Sequence, residues 1–365
     1  MATARREPAP PPSGLRSKRP AGVALHRARL QRYLNPGKVL EWSWGTVGYP
    51  NPVRFPPLQM IIYRPDIYEL PSHRHKGERV YGGDGIALVG EDGHGRATRQ
   101  GGVWQLGDRR RFETGDDVLA AGPDAFPAET FGPGLVAELE ALCDTVPPDR
   151  IPMARQYATL VVRAIFEFDW EPFLMAAATD PKAFGRILDR FGEATLAILQ
   201  GWTQVERVPV VYLHDDIAMT RGLIFHPDWY REYVFPWYRR FVETAHGAGQ
   251  KVLFVSDGNY LPALDDLLDV GMDGFMIEPS SVDPAEVMAR AGPGKFYRTS
   301  VDNRVMDFGT PDDVAAQLNK LHALHQHYPA MWIGRGGSVP SDHPNAVAFS
   351  DFSTKVFGDG PEASP

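Results

Sequence analysis

Several apolar runs in this chain stop abruptly on a charged residue. Residues 208–213 (VPVVYL) end at His214-Asp215-Asp216, and 251–255 (KVLFV) end at Ser256-Asp257-Gly258. Residues 274–277 end at Glu278, 295–299 at Ser300-Val301-Asp302, and 330–333 at Gly334-Arg335-Gly336-Gly337-Ser338. Acids are seldom placed where core strands end unless water, a partner or a ligand satisfies them. Taken singly, each has a bland reading: it caps the next helix or binds a loop amide. Taken together, carboxylates crowded at one mouth raise one another's proton affinity. A site obtains a proton donor and a proton acceptor near neutral pH in this way. Asp216, Asp257 and Glu278 are therefore the expected catalytic acids. Arg335 is expected to clamp a substrate anion with its two-pronged guanidinium, and the glycines beside it let backbone N–H groups approach that anion. Asp302 and His214 complete the expected substrate-binding set. His214 reads equally as a general base, a metal ligand or a core histidine.

Positioning these residues requires strands that alternate with helices. Residues 227–247 read as one helix with Pro227 in its first turn and Tyr230, Tyr233, Val234, Trp237, Phe241 and Val242 along one face. Strand, helix and strand make a parallel βαβ unit. The alternation runs from about residue 150 onward. Asp180-Pro181, Asp283-Pro284 and Thr310-Pro311 mark helix starts by an N-cap followed by proline in the first turn. This pattern predicts an α/β domain with a parallel sheet. Charged ends spread over many strands, with no Gly-rich dinucleotide fingerprint after an early strand, favour a closed (β/α)8 TIM barrel over an open doubly wound sheet. Active sites of such barrels sit at the carboxyl ends of the strands. Residues 38–44 (KVLEWSW) read as the first barrel strand. Trp42 and Trp44 then lie near the mouth, as a substrate wall or as core.

The 365 residues carry a net charge of −8, which argues against a nucleic-acid-binding body. No apolar run approaches the length needed to cross a bilayer. A single cysteine, Cys143, excludes an internal disulfide and a multi-cysteine metal cluster. Residues 1–25 are rich in Pro, Arg and Ala without hydrophobic periodicity, which predicts a disordered tail. The tail lacks the apolar stretch of a secretory signal, so the cytoplasm is the expected location. Residues 26–358 are then a single barrel domain and 359–365 a flexible end. The cluster His73-Arg74-His75 reads as a metal-binding pair or, more simply, as an exposed loop.

From about residue 150 to 358 the chain resembles the uroporphyrinogen decarboxylase superfamily, which includes corrinoid- and thiol-dependent methyltransferases. The resemblance rests on HDDIAMTRGLIFHPDWYREYVFPWYRRFVETAHGAGQKVLFVSDGNYLPALDDLLDVGMDGFMIEP, RTSVDNRVMDFGTPDDV and GGSVPSDHPNAVAFS, in that order. It implies a (β/α)8 barrel. Methyltransferases of the superfamily hold zinc with a His-x-Cys-Gly motif and a later Cys. Here those positions read Val255, Asp257 and Gly337, so the resemblance does not carry a thiolate-bound zinc to this chain. The Arg-rich N-terminal motif of the true decarboxylases is also missing, and their late His falls at Arg335. Their essential early Asp corresponds to Asp84. The resulting expectation is a lyase acting by acid–base chemistry on a small or medium anionic, carboxylated substrate other than uroporphyrinogen. The alternatives are one-carbon or methyl transfer with a divalent metal (Zn, Mn or Fe) held by His214, Asp257 and Glu278, and a non-catalytic ligand-binding barrel. The expected partners are a small-molecule substrate and a second copy of the chain, with no nucleic acid or membrane.

Overall fold

The computed structural model describes residues 159–357 except 207, 329 and 338, together with 112–126, 153–156, residues 136, 137 and 140, and strands at 40–41, 78–82, 85–89, 95–100 and 103–105. The N-terminal tail, the His73-Arg74-His75 cluster, Asp84, Trp44, Cys143 and the C-terminal end lie outside the described residues.

The short strand β1 (Leu40–Glu41) is followed by four antiparallel strands, β2 (Glu78–Gly82), β3 (Gly85–Val89), β4 (Gly95–Gln100) and β5 (Val103–Gln105), which form their own sheet. The main sheet continues with β6 (Met153–Gln156) and β7 (Val210–His214). A hairpin of β8 (Ala218–Met219) and β9 (Gly222–Leu223) comes next. Then come β10 (Lys251–Val255), β11 (Gly274–Met276), β12 (Phe296–Ser300) and β13 (Met331–Gly334). The seven strands of the main sheet lie in the order β1-β13-β12-β11-β10-β7-β6. Every pairing among them is parallel. Successive strands are neighbours, and β1 pairs with the last strand rather than with the next one in sequence.

Two apolar clusters divide the strands by parity. Leu213, Phe254, Phe275, Tyr297 and Ile333 belong to the large cluster shared with the helices. Tyr212, Val255, Met276, Phe296 and Ala330 belong to a smaller cluster on the other side of the sheet. Because side chains alternate along a strand, the second cluster defines the inner face. Residues at even steps from its members continue that face toward the carboxyl ends.

The single helix expected over 227–247 is instead two, Pro227–Tyr233 and Phe235–Gly247. Pro236 accounts for the break, since it has no N–H for an intrahelical bond and its ring displaces the preceding turn. The expected apolar face survives the break: Tyr230, Val234, Trp237, Phe241 and Val242 are all buried. The other helix starts behave as the sequence indicates. Asp180 accepts from the Ala183 amide and Asp283 from the Ala285 amide. Thr310 and Asp313 form a reciprocal capping box.

Candidate active site

The parity of the strands decides which expected site residues meet. His214 follows Tyr212 on the inner face, and Asp216 is one step further. Asp257 follows Val255, and Glu278 follows Met276, in the same phase. The register aligns Val255 with His214, which brings Asp216 and Asp257 to one level on adjacent strand ends. The His214 Nε2 atom lies 2.9 Å from Asp216 Oδ1. The same carboxylate oxygen accepts the Asp257 amide N–H at 2.8 Å. The next amide, that of Gly258, donates to Glu278 Oε2 at 3.1 Å, and Ser281 Oγ donates to that oxygen at 2.8 Å. Two successive backbone amides of one turn thus fasten the carboxylates of two other strand ends. Exposure rises across the cluster: His214 is buried, Asp216 and Glu278 are half-buried, and Asp257 is exposed.

Gly258 makes that turn. Its φ is +81°, a region that L side chains rarely adopt, and an added Cβ would stand 2.5 Å from the Ala218 carbonyl oxygen. The β8–β9 hairpin can therefore lie directly over the Asp257-Gly258 turn. The Asn259 amide donates to the Met219 carbonyl at 2.9 Å, and the Ile217 amide donates to Ser256 Oγ at 3.2 Å. Met219, at the hairpin tip, stands exposed at the rim.

Asp215 is out of phase with its two neighbours and faces the helix layer. Its buried carboxylate accepts from the amides of Leu160 and Val162 at 3.1 and 2.7 Å, and from Tyr238 Oη at 2.8 Å. It caps the start of helix Val161–Phe168 and takes no part in the mouth. Burial pushes its carboxyl above the usual value, with the donors opposing. Burial likewise pushes the Tyr238 phenol well above its ordinary value, helped by the Asp215 charge.

Two residues that sequence grouped with the acids have local partners of their own. Asp302 is in phase, but its carboxylate accepts from Arg304 at 2.6 and 3.1 Å and caps helix Asn303–Phe308. The hydrogen bonds from Arg304 hold its carboxyl below the usual range. Arg335 falls two residues after Ile333, in the outward phase. Its guanidinium donates to the Val339 carbonyl at 2.9 Å, and burial lowers its affinity for the proton while Asp307 opposes that. It is tied to its own loop.

His214, Asp216 and Asp257 each offer one donor atom, and the three atoms lie within 4.8 Å of one another. This differs from the metal set expected from sequence in one member: Asp216 replaces Glu278, which the Gly258 amide and Ser281 engage. One imidazole nitrogen and two carboxylate oxygens suit Zn, Mn or Fe. Neither of the superfamily's cysteine positions offers a thiolate. At the superfamily's cysteine positions stand Asp257 and Gly337, whose amide donates to Asn303 Oδ1. The sequence analysis does not single out Arg298, which is buried in β12 in phase with Phe296 of the inner cluster. Its signal was there, since a charge within FYRTS at the same parity as Phe296 must face inward.

A parallel α/β sheet with a cluster of carboxylates and imidazole at its carboxyl ends belongs to the class of folds that carry catalytic sites on that face. The sequence profile described as uroporphyrinogen decarboxylase (URO-D) matches residues 158–345, just over half of the chain. The chain therefore belongs to the uroporphyrinogen decarboxylase family. Among solved structures, a methyltransferase from Methanosarcina mazei is similar over 90% of this chain and 98% of its own, with 14% identity and a TM-score of 0.60. That likeness shows a shared fold. A 3-keto-D-glucoside 4-epimerase from E. coli is similar over 67% of this chain and 86% of its own, with 13% identity and a TM-score of 0.38. No curated protein matches the chain by sequence. Among the described residues, no helix is long and apolar enough to cross a membrane.

Proposed function

We propose that the chain is an enzyme that removes a carboxylate from a small or medium anionic organic substrate by acid–base chemistry. The observation that carries this reading is the convergence of His214, Asp216 and Asp257 within 4.8 Å at the ends of neighbouring parallel strands. Asp257, the most open member, is placed to exchange a proton with a bound substrate. The hydrogen bond between His214 and Asp216 fixes the orientation of the imidazole beside the acid cluster. Glu278, held through the neighbouring amide, sets the position of the turn that carries Asp257. In the step itself the bond between the carboxylate carbon and its neighbour breaks and CO2 departs. The electron pair stays on the substrate carbon, which then takes a proton from the acid cluster. We further propose that the main sheet closes into a (β/α)8 barrel through a strand between β1 and β6. The pairing of β1 with β13 supports this, because it already joins first strand to last.

The test is Asp257→Asn and Asp216→Asn, assayed for CO2 release across a panel of small carboxylic acids. Removal of a general acid or base is expected to lower turnover by about 10²–10⁴-fold, with the far-ultraviolet circular dichroism unchanged. If neither substitution lowers turnover while the fold persists, the site is wrongly assigned.

A second reading, methyl or one-carbon transfer, is favoured by the donor geometry of the same three residues. When bound, a divalent metal would supply Lewis acidity and activate a nucleophile. His214, Asp216 and Asp257 would hold it. Metal analysis of protein purified without chelator separates the readings. A stoichiometric divalent metal that is lost in Asp257→Asn favours transfer. Absence of metal in a protein that releases CO2 favours the lyase.

A further inference from the structure

Hydrogen bonds join the site into an arc that follows the carboxyl ends of the strands. His214 meets Asp216, Asp216 accepts the Asp257 amide, and Glu278 accepts the Gly258 amide. The arc does not stop at Glu278. The loop after β11 carries it on: Ser281 Oγ donates to Glu278, and the Ser280 carbonyl accepts from Arg304 Nη2 at 3.3 Å. Arg304 lies in the first turn of helix Asn303–Phe308, which follows β12 directly. The rim therefore passes from carboxylates to a guanidinium within one network. Hydrogen bonds from Asp302 raise the proton affinity of Arg304, and the charge of Glu278 adds to this.

Asp302 decides how that guanidinium is held. Its two oxygens accept from Nε at 3.1 Å and from Nη2 at 2.6 Å, so one edge of the planar group is fixed in a fork. The helix cap does not need this side chain, because the Arg304 backbone amide makes it, donating to Asp302 Oδ1 at 2.8 Å. A guanidinium carries five N–H donors, and the two on Nη1 take part in none of these bonds. The side chain is 67% exposed, so a ligand reaches it from solvent and no buried cavity is required. An arginine already oriented by one partner loses less freedom when it takes a second.

We infer that Arg304 receives a carboxylate that the substrate keeps. The substrate would then be a dicarboxylate laid along the rim, with the retained group on Arg304 and the departing group toward Asp257. This rests on the lyase reading above and gives it a cation. It also moves anion recognition from the loop after β13 to the start of the helix after β12.

The experiment is calorimetric titration of the full-length protein with acetate, malonate and succinate at low ionic strength, since salt screens an exposed pair. The wild type is expected to bind a dicarboxylate more tightly than acetate. Arg304→Met is expected to weaken that binding by about 5-fold or more, as for loss of a charge-assisted hydrogen bond at an open site. Arg304→Lys keeps the charge without the planar fork and is expected to bind between the two. It covers the case in which the Met variant does not fold. Arg221→Met, which removes the exposed cation of the β8–β9 turn, is expected to bind as the wild type does, and so is Arg335→Met. Asp257→Asn is expected to bind at least as tightly as the wild type while losing turnover, which separates failure of this inference from failure of the lyase reading. The inference is overturned if no dicarboxylate binds the wild type or if a folded Arg304 variant binds unchanged. It is equally overturned if Arg221→Met or Arg335→Met by itself abolishes binding.

Discussion

Adjacent acids in this chain do opposite work because one residue of phase separates them. Asp216 joins the mouth, whereas Asp215 is buried among three donors in the helix layer. Asp215→Ala would leave two amides and a phenol unsatisfied in the interior. A loss of about 3 kcal/mol is expected in urea unfolding. The pH dependence carries a definite sign. Burial raises the folded-state value of Asp215 above 3.8, so the native state binds more protons than the unfolded one in the window above that value. Its contribution to stability therefore falls as pH rises through that window. Asp302 acts the other way: its folded value is depressed below 3.8, so its stabilisation is present above that pH and is lost as pH falls through the folded value. Asp215→Asn is expected to remove the decline on the rising side, and Arg304→Met to remove the acid-side loss. Urea midpoints measured from pH 3 to 7 read both. The word His-Asp-Asp was plain in the sequence. Which of its acids faced the mouth was not, because the phase of a strand is set by its neighbours.

At the scale of elements, the helix layer is held close by glycine. Helix Pro181–Gln204 presents Gly185 and Gly192, seven residues apart and on one face, to the helices that follow β9. A Cβ on Gly192 would stand 2.2 Å from the Trp237 ring, and one on Gly185 would stand 2.4 Å from Tyr233. The Trp237 indole N–H donates to Asp189 Oδ1 at 2.9 Å, which locks the ring over the notch. Gly192→Ala gains helix propensity but overfills this seam. A net loss of about 1–3 kcal/mol is expected in chemical denaturation, with helix content unchanged. The helix starts at Asp180, Asp283 and Thr310 were legible because capping is a local chemistry. The division of residues 227–247 was foreshadowed by Pro236, yet the apolar stripe running through it outweighed the proline in the sequence reading.

For the whole molecule, the pairing of β1 with β13 ties residues near the start of the chain to those near residue 334. A chain lacking residues 1–45 would expose the hydrogen-bonding edge of β13. A lower unfolding temperature and concentration-dependent association are expected, measured by calorimetry and light scattering. An unchanged midpoint in a monodisperse sample would show that β1 contributes little. On the same scale, a chain of net charge −8 gathers three acids on one mouth.

The sequence by itself determined the α/β alternation from residue 150 onward and the charged ends of its strands, while the order of its motifs carried the family resemblance. The first two follow from period, capping and the sharp ends of apolar runs, which are properties of neighbouring residues along the chain. Only the tertiary structure decided that Asp302 and Arg335 are engaged elsewhere, that Asp215 is a bolt in the helix layer, and that Arg298 faces inward. The physical reason is that a strand end projects a residue to one side or the other according to register. Register is fixed by pairing between segments that lie 22 to 41 residues apart in the sequence.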